Sequence, residues 1–297
     1  MYSTFRIHLI FFALLFSLSS IAQQRSYEDS VKNWYHQRRK DLKAPDGWIN
    51  LTGLFWLEKG KISMGRVSKN GIAIDHPDMP DLAGNLTVTE NEIIWTTHPG
   101  SRVLLNNEAV NSLVIYNTTQ THQPQLAIGS LRFNVIVRGD KKGIRLRDLN
   151  APALKQFKAP PRFPVNQKWK IPAAFEPIPS GTIAIQNVLG QVNREASPGQ
   201  LVFTYQQKTY RLDVLNEGNY WFVLFADATS GKSTYPTGRF LYVAKNKETD
   251  QVYLDFNLAF NPPCAFTNFA TCPIPPAQNR LPFAVSAGEK YQKHGTH

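Results

Sequence analysis

The feature that most limits how this chain folds is the spacing of its turn residues. From Trp48 onward, short runs rich in Val, Ile, Phe, Tyr and Thr alternate with clusters of Gly, Asn, Asp and Pro. Runs of this length between turn residues are typical of strands. The sequence therefore predicts an all-β, mainly antiparallel protein. The predicted strands cover residues 72–74, 86–89, 92–96, 103–105, 113–117, 131–138, 144–147, 182–186, 200–205, 208–214, 220–226, 239–244, 251–255 and 283–287.

A proline-rich segment separates two groups of predicted strands. Residues 151–181 contain seven prolines. Because proline cannot donate to a strand ladder, this segment is not expected to form a central strand. We interpret it as an extended connection across the surface. The predicted order is an N-terminal helix at 23–46, a first β unit at 47–150, the connection, and a second β unit at 182–297, each β unit resembling a sandwich or barrel.

Residues 1–22 have the pattern of a secretory signal peptide. Arg6 precedes the apolar run LIFFALLFSLSS, and the small residues Ser20 and Ala22 stand just before Gln23. Small residues at these two positions are typical of a cleavage site. The apolar run is too short to span a bilayer as a mature helix. The sequence predicts cleavage after Ala22 and a soluble, periplasmic or secreted protein without a membrane span.

The segment 27–43 is the one convincing helix in the sequence. Its acidic residues come early and its basic residues late, which suits the helix macrodipole. Pro45 and Gly47 follow and end the helical pattern. The residues at helical spacing are Val31, Trp34, Tyr35, Arg38 and Leu42.

The charge balance of the chain favours acidic partners. The formal net charge is +11 at pH 7. Such a balance attracts anionic surfaces, glycans or acidic ligands. The basic residues are scattered, with short groups only at 37–40 and 138–148, whereas a nucleic-acid binder concentrates them on one element. We expect a small-molecule or glycan ligand, anionic ones included, and no nucleic acid.

Several passages together resemble one bacterial family. They are GWINLTGLFWLEKGKISMG (47–65), GIRLRD (143–148), TYPTGRFL (234–241), LDFNLAFNPPCAF (254–266) and TCPIPPAQNRLPFAVSAGEK (271–290). The chain resembles the family known as domain of unknown function 1684. The resemblance implies no particular activity, but it marks residues 271–290, here called the hallmark segment, as the most characteristic part. Residues 57–74 are also similar to the opening strands of a forkhead-associated-type sandwich, a likeness of fold alone.

The two cysteines, Cys264 and Cys272, have three possible chemistries. An exported protein is expected to oxidise them, and a disulfide closing this short loop would stabilise the fold by roughly 2–3 kcal/mol. Structural zinc requires four ligands and more closely spaced cysteines. A catalytic cysteine requires a nearby histidine, and no known signature is present. The sequence favours the disulfide and predicts no metal site and no cofactor.

Polar residues accumulate around the hallmark segment and form the predicted site. Asp255 and Glu289 are the candidate catalytic acid and base. Strand alternation places Asp255 and Asn257 on one face. The candidate ligand-binding residues are Arg145, Arg147, Asp148, Arg239, Asn257, Asn261 and Asn279. The alternative is structural, since Asp and Asn beside prolines commonly hold loop backbone and an Arg–Asp pair can be a structural ion pair.

Three functions remain open from the sequence. The first, which we favour, is an exported ligand-binding or interaction module with a polar site near residues 255–289. The second is a hydrolase that uses the Asp255 and Glu289 carboxylates; two carboxylates facing each other across a cleft would support it, and a buried Glu289 paired with an arginine would oppose it. The third is a purely structural envelope protein. The sequence does not decide whether the chain is an enzyme.

Overall fold

A computed structural model of the protein describes residues 24–67, 71–246 and 248–292. The predicted signal peptide at 1–22 lies outside these residues. A first helix, α1, covers residues 24–43, and a short helix, α2, covers Pro152–Gln156. Within the described ranges no helix is both long and apolar enough to cross a membrane.

Nineteen strands follow α1 in the described part of the chain. They are β1 Leu51–Trp56, β2 Gly60–Gly65, β3 Gly71–Ala73, β4 Gly84–Val88, β5 Glu92–Thr97, β6 Leu104–Leu105, β7 Glu108–Ala109, β8 Ser112–Asn117, β9 Leu126–Ile128, β10 Leu131–Arg138, β11 Lys141–Asp148, β12 Lys170–Pro177, β13 Thr182–Gln186, β14 Val192–Ala196, β15 Gly199–Tyr205, β16 Lys208–Glu217, β17 Tyr220–Phe225, β18 Arg239–Ala244 and β19 Gln251–Asp255. The predicted all-β, mainly antiparallel class with an N-terminal helix is confirmed.

The contacts between residues divide the described chain into two units. The first, here called the sandwich unit, comprises residues 42–158 and 266–271. The second, here called the barrel unit, comprises residues 24–41, 159–265 and 272–292. Helix α1 therefore belongs almost entirely to the barrel unit, although the strands of the sandwich unit follow it directly in sequence.

The sandwich unit contains two sheets over a shared core. One sheet has the order β1-β11-β10-β9-β6-β7, and the other has the order β3-β2-β4-β5-β8. Alternation along the strands turns Trp95 of β5 and Phe133 of β10 into the core, where their rings meet edge to face at 5.4 Å. Both side chains are completely buried, so they join the two sheets.

The barrel unit is built on one six-stranded sheet. Its order is β18-β17-β16-β15-β12-β19, and the hairpin β13-β14 forms a separate two-stranded sheet. The edge strands β18 and β19 lie near each other, and Phe240 bridges to Phe260 beyond β19. The sheet is therefore barrel-like. Phe256, which follows β19 directly, fills its core against Trp169, Phe203 and Phe225.

The expectation that the proline-rich segment contains no central strand was wrong. Strand β12 lies between β15 and β19 in the sheet. Phe175 N–H donates to Asp250 O on the β19 side, so alternation turns the nitrogen of Pro172 toward the β15 side. Pairing with β15 begins only at Ala173. Pro172 therefore lacks its N–H where no partner strand requires it.

The predicted strand at 283–287 was also wrong. These residues have no regular structure, and side chains rather than a neighbouring strand bind several of their backbone groups. Asp227 Oδ1 accepts from Val285 N–H at 3.1 Å, while Arg239 donates to the carbonyl oxygens of Val285 and Ala287. The apolar alternation that suggested a strand instead places Val285 and Ala287 in the barrel core.

Candidate functional site

Arg239 is the side chain that contacts the backbone of the hallmark segment most extensively. It is the first residue of β18 and is completely buried. Its Nη2 donates to Asp227 Oδ2 at 2.8 Å and to Val285 O at 3.0 Å, and its Nη1 donates to Ala287 O. Burial lowers the pKa of Arg239, and the Asp227 carboxylate opposes that shift. This arginine holds the hallmark backbone in place.

Glu289 is paired on both carboxylate oxygens. Its Oε1 accepts from Arg38 Nε of α1 at 2.7 Å, and its Oε2 accepts from Asn261 N–H at 2.7 Å. The Glu289 side chain is only 2% exposed. Asn261 in turn donates from Nδ2 to Lys290 O at 3.0 Å. The arrangement is a buried ion pair of the kind that opposes the hydrolase.

Gly288 explains why the hallmark segment ends in Ala-Gly-Glu-Lys. Its φ is +77°, a left-handed value that glycine adopts without strain. A Cβ added there would lie 2.5 Å from Ala259 O. The close approach lets Glu289 N–H donate to Ala259 O at 2.8 Å, which directs the Glu289 side chain toward Arg38 and Asn261.

Asp255 belongs to a second cluster with Tyr27 and Asn257. Tyr27 Oη lies 2.8 and 2.9 Å from the two Asp255 oxygens, so the hydroxyl binds the carboxylate. Asn257 donates from Nδ2 to Tyr27 Oη, and its Oδ1 accepts from Asn166 N–H at 3.0 Å. Burial raises the pKa of Asp255, and the bonds from Tyr27 and Asn257 partly offset that rise.

Asn279 forms a third, separate set of contacts. Its Oδ1 accepts from Asp213 N–H at 2.8 Å, and its Nδ2 donates to Asp213 O at 2.9 Å and to Leu224 O at 2.8 Å. The residue is almost completely buried. It ties the middle of the hallmark segment to β16 and β17, and both the oxygen and the nitrogen of its amide bind backbone groups.

The three remaining predicted residues lie in the sandwich unit. Arg145 and Arg147 alternate on β11, and each guanidinium lies over the Trp48 ring, at 5.4 and 5.7 Å from its centroid. Arg147 also donates to Gly47 O and to Asn50 Oδ1, and burial lowers its pKa. Asp148 accepts from the Ser130 hydroxyl at 2.7 Å. The contacts named here all lie within the sandwich unit.

The predicted residues therefore form several clusters rather than one. Asp255 with Asn257, Glu289 with Asn261, Arg239 and Asn279 each hold backbone or buried partners within the barrel unit. Their hydrogen bonds are those expected of braces, the alternative that the sequence left open. Sequence reasoning did not find Asp227, Tyr27 or Arg38 as partners, because each reaches the hallmark region from a distant segment.

Cys264 and Cys272 lie together, with Cys264 shortly before the hallmark segment and Cys272 near its beginning. The structure holds them as thiols. Cys264 N–H lies 3.0 Å from Cys272 Sγ, and Cys272 N–H lies 3.4 Å from Cys264 Sγ. A hydrogen bond from the Cys272 side chain lowers the pKa of Cys264. The disulfide stays a prediction, and the short separation is compatible with it.

A strip of aromatic rings lies on the surface beside these braces. The strip, here called the aromatic strip, consists of Trp34, Tyr220, Phe222, Tyr242 and Phe260. Phe222 and Tyr242 are cross-strand partners whose rings stack at 4.9 Å, and Tyr242 stacks on Phe260 at 5.6 Å. Trp34 of α1 contacts Phe260 at 5.9 Å. Tyr220 is 47% exposed and Tyr242 is 39% exposed, so solvent reaches these two rings, whereas Phe260 is buried.

Taken together, the fold and these contacts define an all-β protein whose C-terminal segment is fixed by a buried arginine. Residues 155–290 match the family described as "Protein of unknown function (DUF1684)", and the chain carries a domain of this family over that range. The resemblance noted in the sequence is thereby confirmed for the passages at 234–241, 254–266 and 271–290, and the match does not extend to those at 47–65 and 143–148.

Other known proteins add little to this assignment. The chain is similar to a solution NMR structure, that of the uncharacterized protein from gene locus rrnAC0354 of Haloarcula marismortui. The two sequences are 26% identical, the similarity covers 48% of this chain and 83% of the other, and the TM-score is 0.40. No curated protein matches the chain.

Proposed function

We propose that this protein is an exported ligand-binding or interaction module whose binding surface near the hallmark segment is the aromatic strip. The observation that carries the proposal is the exposure of Tyr220 and Tyr242 within a set of five rings in contact. Flat aromatic faces bind sugar rings and apolar side chains with little loss of side-chain entropy. The ligand is a glycan or another small molecule, short peptides included.

The braces around the strip support this location. Because Arg239, Glu289, Asn257 and Asn279 are occupied by protein groups, they have little capacity left for a ligand. Arg38, which binds Glu289, also lies 4.2 Å above the Phe260 ring and places a positive charge beside the strip. A ligand that meets this region therefore meets mainly aromatic faces, because the Arg38 charge is already paired with Glu289.

The same braces weaken the hydrolase alternative. A general acid or base must reach a reacting atom. Glu289 is ion-paired with Arg38 and buried, and Asp255 is bound by Tyr27. The structural alternative gains support from these contacts, and the ligand experiment below separates it from the binding module.

Export completes the proposal. The signal peptide pattern at 1–22 directs the chain to the periplasm or the outside of the cell. In that compartment the thiols of Cys264 and Cys272 are expected to oxidise to a disulfide. The bond would close the loop that leads into the hallmark segment and stabilise it.

A binding titration of the mature protein tests the aromatic strip. Intrinsic fluorescence is followed as cellotetraose, chitotetraose and a proline-rich decapeptide are added separately. At least one is expected to bind, and Tyr220→Ala with Tyr242→Ala should weaken that binding tenfold or more. Tyr253→Ala is the matched control, because Tyr253 is 57% exposed on β19 and lies outside the strip. Equal weakening by the control, or no binding of any probe, would favour the structural alternative.

A further inference from the structure

The sandwich unit has a groove of about 530 Å³ that none of the predicted site residues lines. Such a volume lies in the range of small-molecule sites. Its apolar lining, here called the floor, includes Leu113, Val114 and Ala127. Its polar lining, here called the rim, consists of Asn106, Asn107, Gln120, His122, Gln123, Gln125 and Arg132. Five of these seven rim side chains are primary amides.

Two local structures present the amides. Asn106 and Asn107 form the two-residue turn between β6 and β7, with φ values of 51° and 69°. Asparagine tolerates these left-handed values better than most residues, so this pair suits the turn. On the other side, Asn117 Oδ1 accepts from Gln120 N–H at 2.9 Å, and Gln120 Oε1 accepts from Asn117 N–H at 3.1 Å. These bonds fix the loop that follows β8.

The hydrogen-bonding capacity of the rim is incompletely used. Gln123 Oε1 is buried and has no partner among the described residues. A buried acceptor without a donor is rare in native proteins and indicates a missing partner. Each primary amide offers both a donor and an acceptor, which matches hydroxyl groups because these also act as both.

The charge of the groove is positive. None of the residues that line it is an aspartate or a glutamate. Arg132 Nη1 donates to Gly129 O at 2.9 Å and to Leu131 O at 2.8 Å, so the guanidinium is held in one position. The ion pairs of the described chain do not include Arg132. A fixed guanidinium binds carboxylate or sulfate oxygens through its planar fork.

We propose that this groove binds an anionic oligosaccharide, with its hydroxyls on the amide rim and its carboxylate or sulfate group on Arg132. The apolar floor would contact the C–H faces of a sugar ring. This site goes beyond the aromatic strip, because its residues belong to the sandwich unit and the strip belongs to the barrel unit.

Calorimetric titration of the mature protein tests the groove. The probes are tetragalacturonate, its methyl ester, and a chondroitin sulfate tetrasaccharide. Tetragalacturonate or the sulfated sugar is expected to bind, which identifies the acidic group, and the methyl ester should bind at least tenfold more weakly than tetragalacturonate if the carboxylate is recognised. Binding of neither acidic sugar overturns the proposal. Equal binding of tetragalacturonate and its ester also overturns it.

Variants locate the binding. Arg132→Gln should weaken binding of the acidic sugar tenfold or more. Arg132→Lys keeps the charge but loses the planar fork, and it should weaken that binding several-fold. Gln123→Leu should also weaken binding of the acidic sugar several-fold. Arg194→Gln is the charge-matched control, because Arg194 is exposed on β14 of the barrel unit. If Arg132→Gln and Arg194→Gln lowered the affinity for the acidic sugar equally, the binding would be general charge attraction, and the proposed site would be wrong.

Two further comparisons complete the test. Tyr220→Ala with Tyr242→Ala should leave tetragalacturonate binding unchanged, so failure of the aromatic strip and failure of the groove give different results. Hexaglutamate tests the choice of ligand class. If hexaglutamate bound as tightly as the acidic sugars, the groove would recognise negative charge on a peptide as well, and the assignment of a saccharide ligand would be wrong. Circular dichroism confirms that each variant is folded.

Discussion

Arg239 Nη2 lies 2.8 Å from Asp227 Oδ2, and neither side chain is exposed to solvent. The same guanidinium reaches the carbonyl oxygens of Val285 and Ala287. The ion pair therefore also fixes an irregular segment whose backbone has no strand partner there. Removing Arg239 leaves both a buried charge on Asp227 and two carbonyl oxygens without their donor.

The first prediction concerns this pair. Replacing Arg239 with Met should lower the free energy of unfolding by about 3–5 kcal/mol, because Asp227 would remain buried and unpaired. Urea unfolding followed by circular dichroism measures the change. Arg211→Met is the matched control, since the Arg211–Glu176 pair on the same unit is half exposed and should contribute less than about 1 kcal/mol. If Arg239→Met lowered the free energy of unfolding no more than Arg211→Met does, the bracing role of Arg239 would be contradicted.

A second prediction concerns the pH dependence of stability. Burial raises the pKa of Asp255 above its ordinary value of 3.8. Over a range of pH the folded protein therefore keeps a proton on Asp255 that the unfolded chain has already lost. The contribution of Asp255 to the free energy of unfolding is present at low pH and disappears as the pH rises through the pKa of the folded state. The difference in free energy of unfolding, wild type minus Asp255→Asn, should shrink as the pH rises above the ordinary value of 3.8.

Urea titrations of both proteins at several pH values measure this difference. Asp213→Asn, at a half-buried aspartate on β16, serves as the comparison. If the difference for Asp255→Asn instead grew as the pH rose, the carboxylate would be stabilised in its charged form by Tyr27 and Asn257, and the burial argument would fail.

The cysteines give a third prediction. In protein purified from an oxidising compartment, thiol labelling after unfolding without reductant should find no free thiol. Reduction, or Cys264→Ser with Cys272→Ser, should lower the free energy of unfolding by only about 1–3 kcal/mol, because the neighbouring prolines already restrict the unfolded loop. Two labelled thiols per chain would contradict the disulfide, and the double serine variant controls for loss of the side chains themselves.

Export gives the fourth prediction. The mature protein should begin at Gln23 and be recovered from the periplasm or the medium. Mass spectrometry of the intact chain checks the N-terminus. A variant with Ala22→Leu should be processed poorly, since a large residue disfavours cleavage at that site. Recovery of the full chain from the cytoplasm, with Met1 or Tyr2 at its start, would show that export is not its route.

Local sequence patterns were enough to predict most of the strands. The predicted strands at 131–138, 182–186, 239–244 and 251–255 have the observed bounds, because alternation and turn residues specify them without reference to the rest of the chain. Strand β12 was missed because Pro172 was expected to break the strand ladder. Pro172 is tolerated since β15 begins to pair with β12 only at Ala173, which the sequence alone does not show. The segment 283–287 was mistaken for a strand because its alternation reflects burial against the barrel core.

The contacts of the site were much less accessible from the sequence. The helical spacing of Trp34, Tyr35 and Arg38 predicted a helix but could not show that Arg38 would bind Glu289, 251 residues later. Similarly, the aromatic strip combines rings from α1, two strands and the segment after β19. Only the tertiary fold determines which of these rings remain exposed.

The separation between α1 and its partners also determines when the barrel unit can be completed. Tyr27 and Asp255 are 228 residues apart, and the whole sequence of strands from β1 to β19 lies between them. An isolated helix of this length is only marginally stable in water. Contacts between residues so far apart in the sequence form late in folding, since the intervening chain must first lose its conformational freedom. During synthesis α1 is therefore made first, yet it acquires its stabilising contacts among the last.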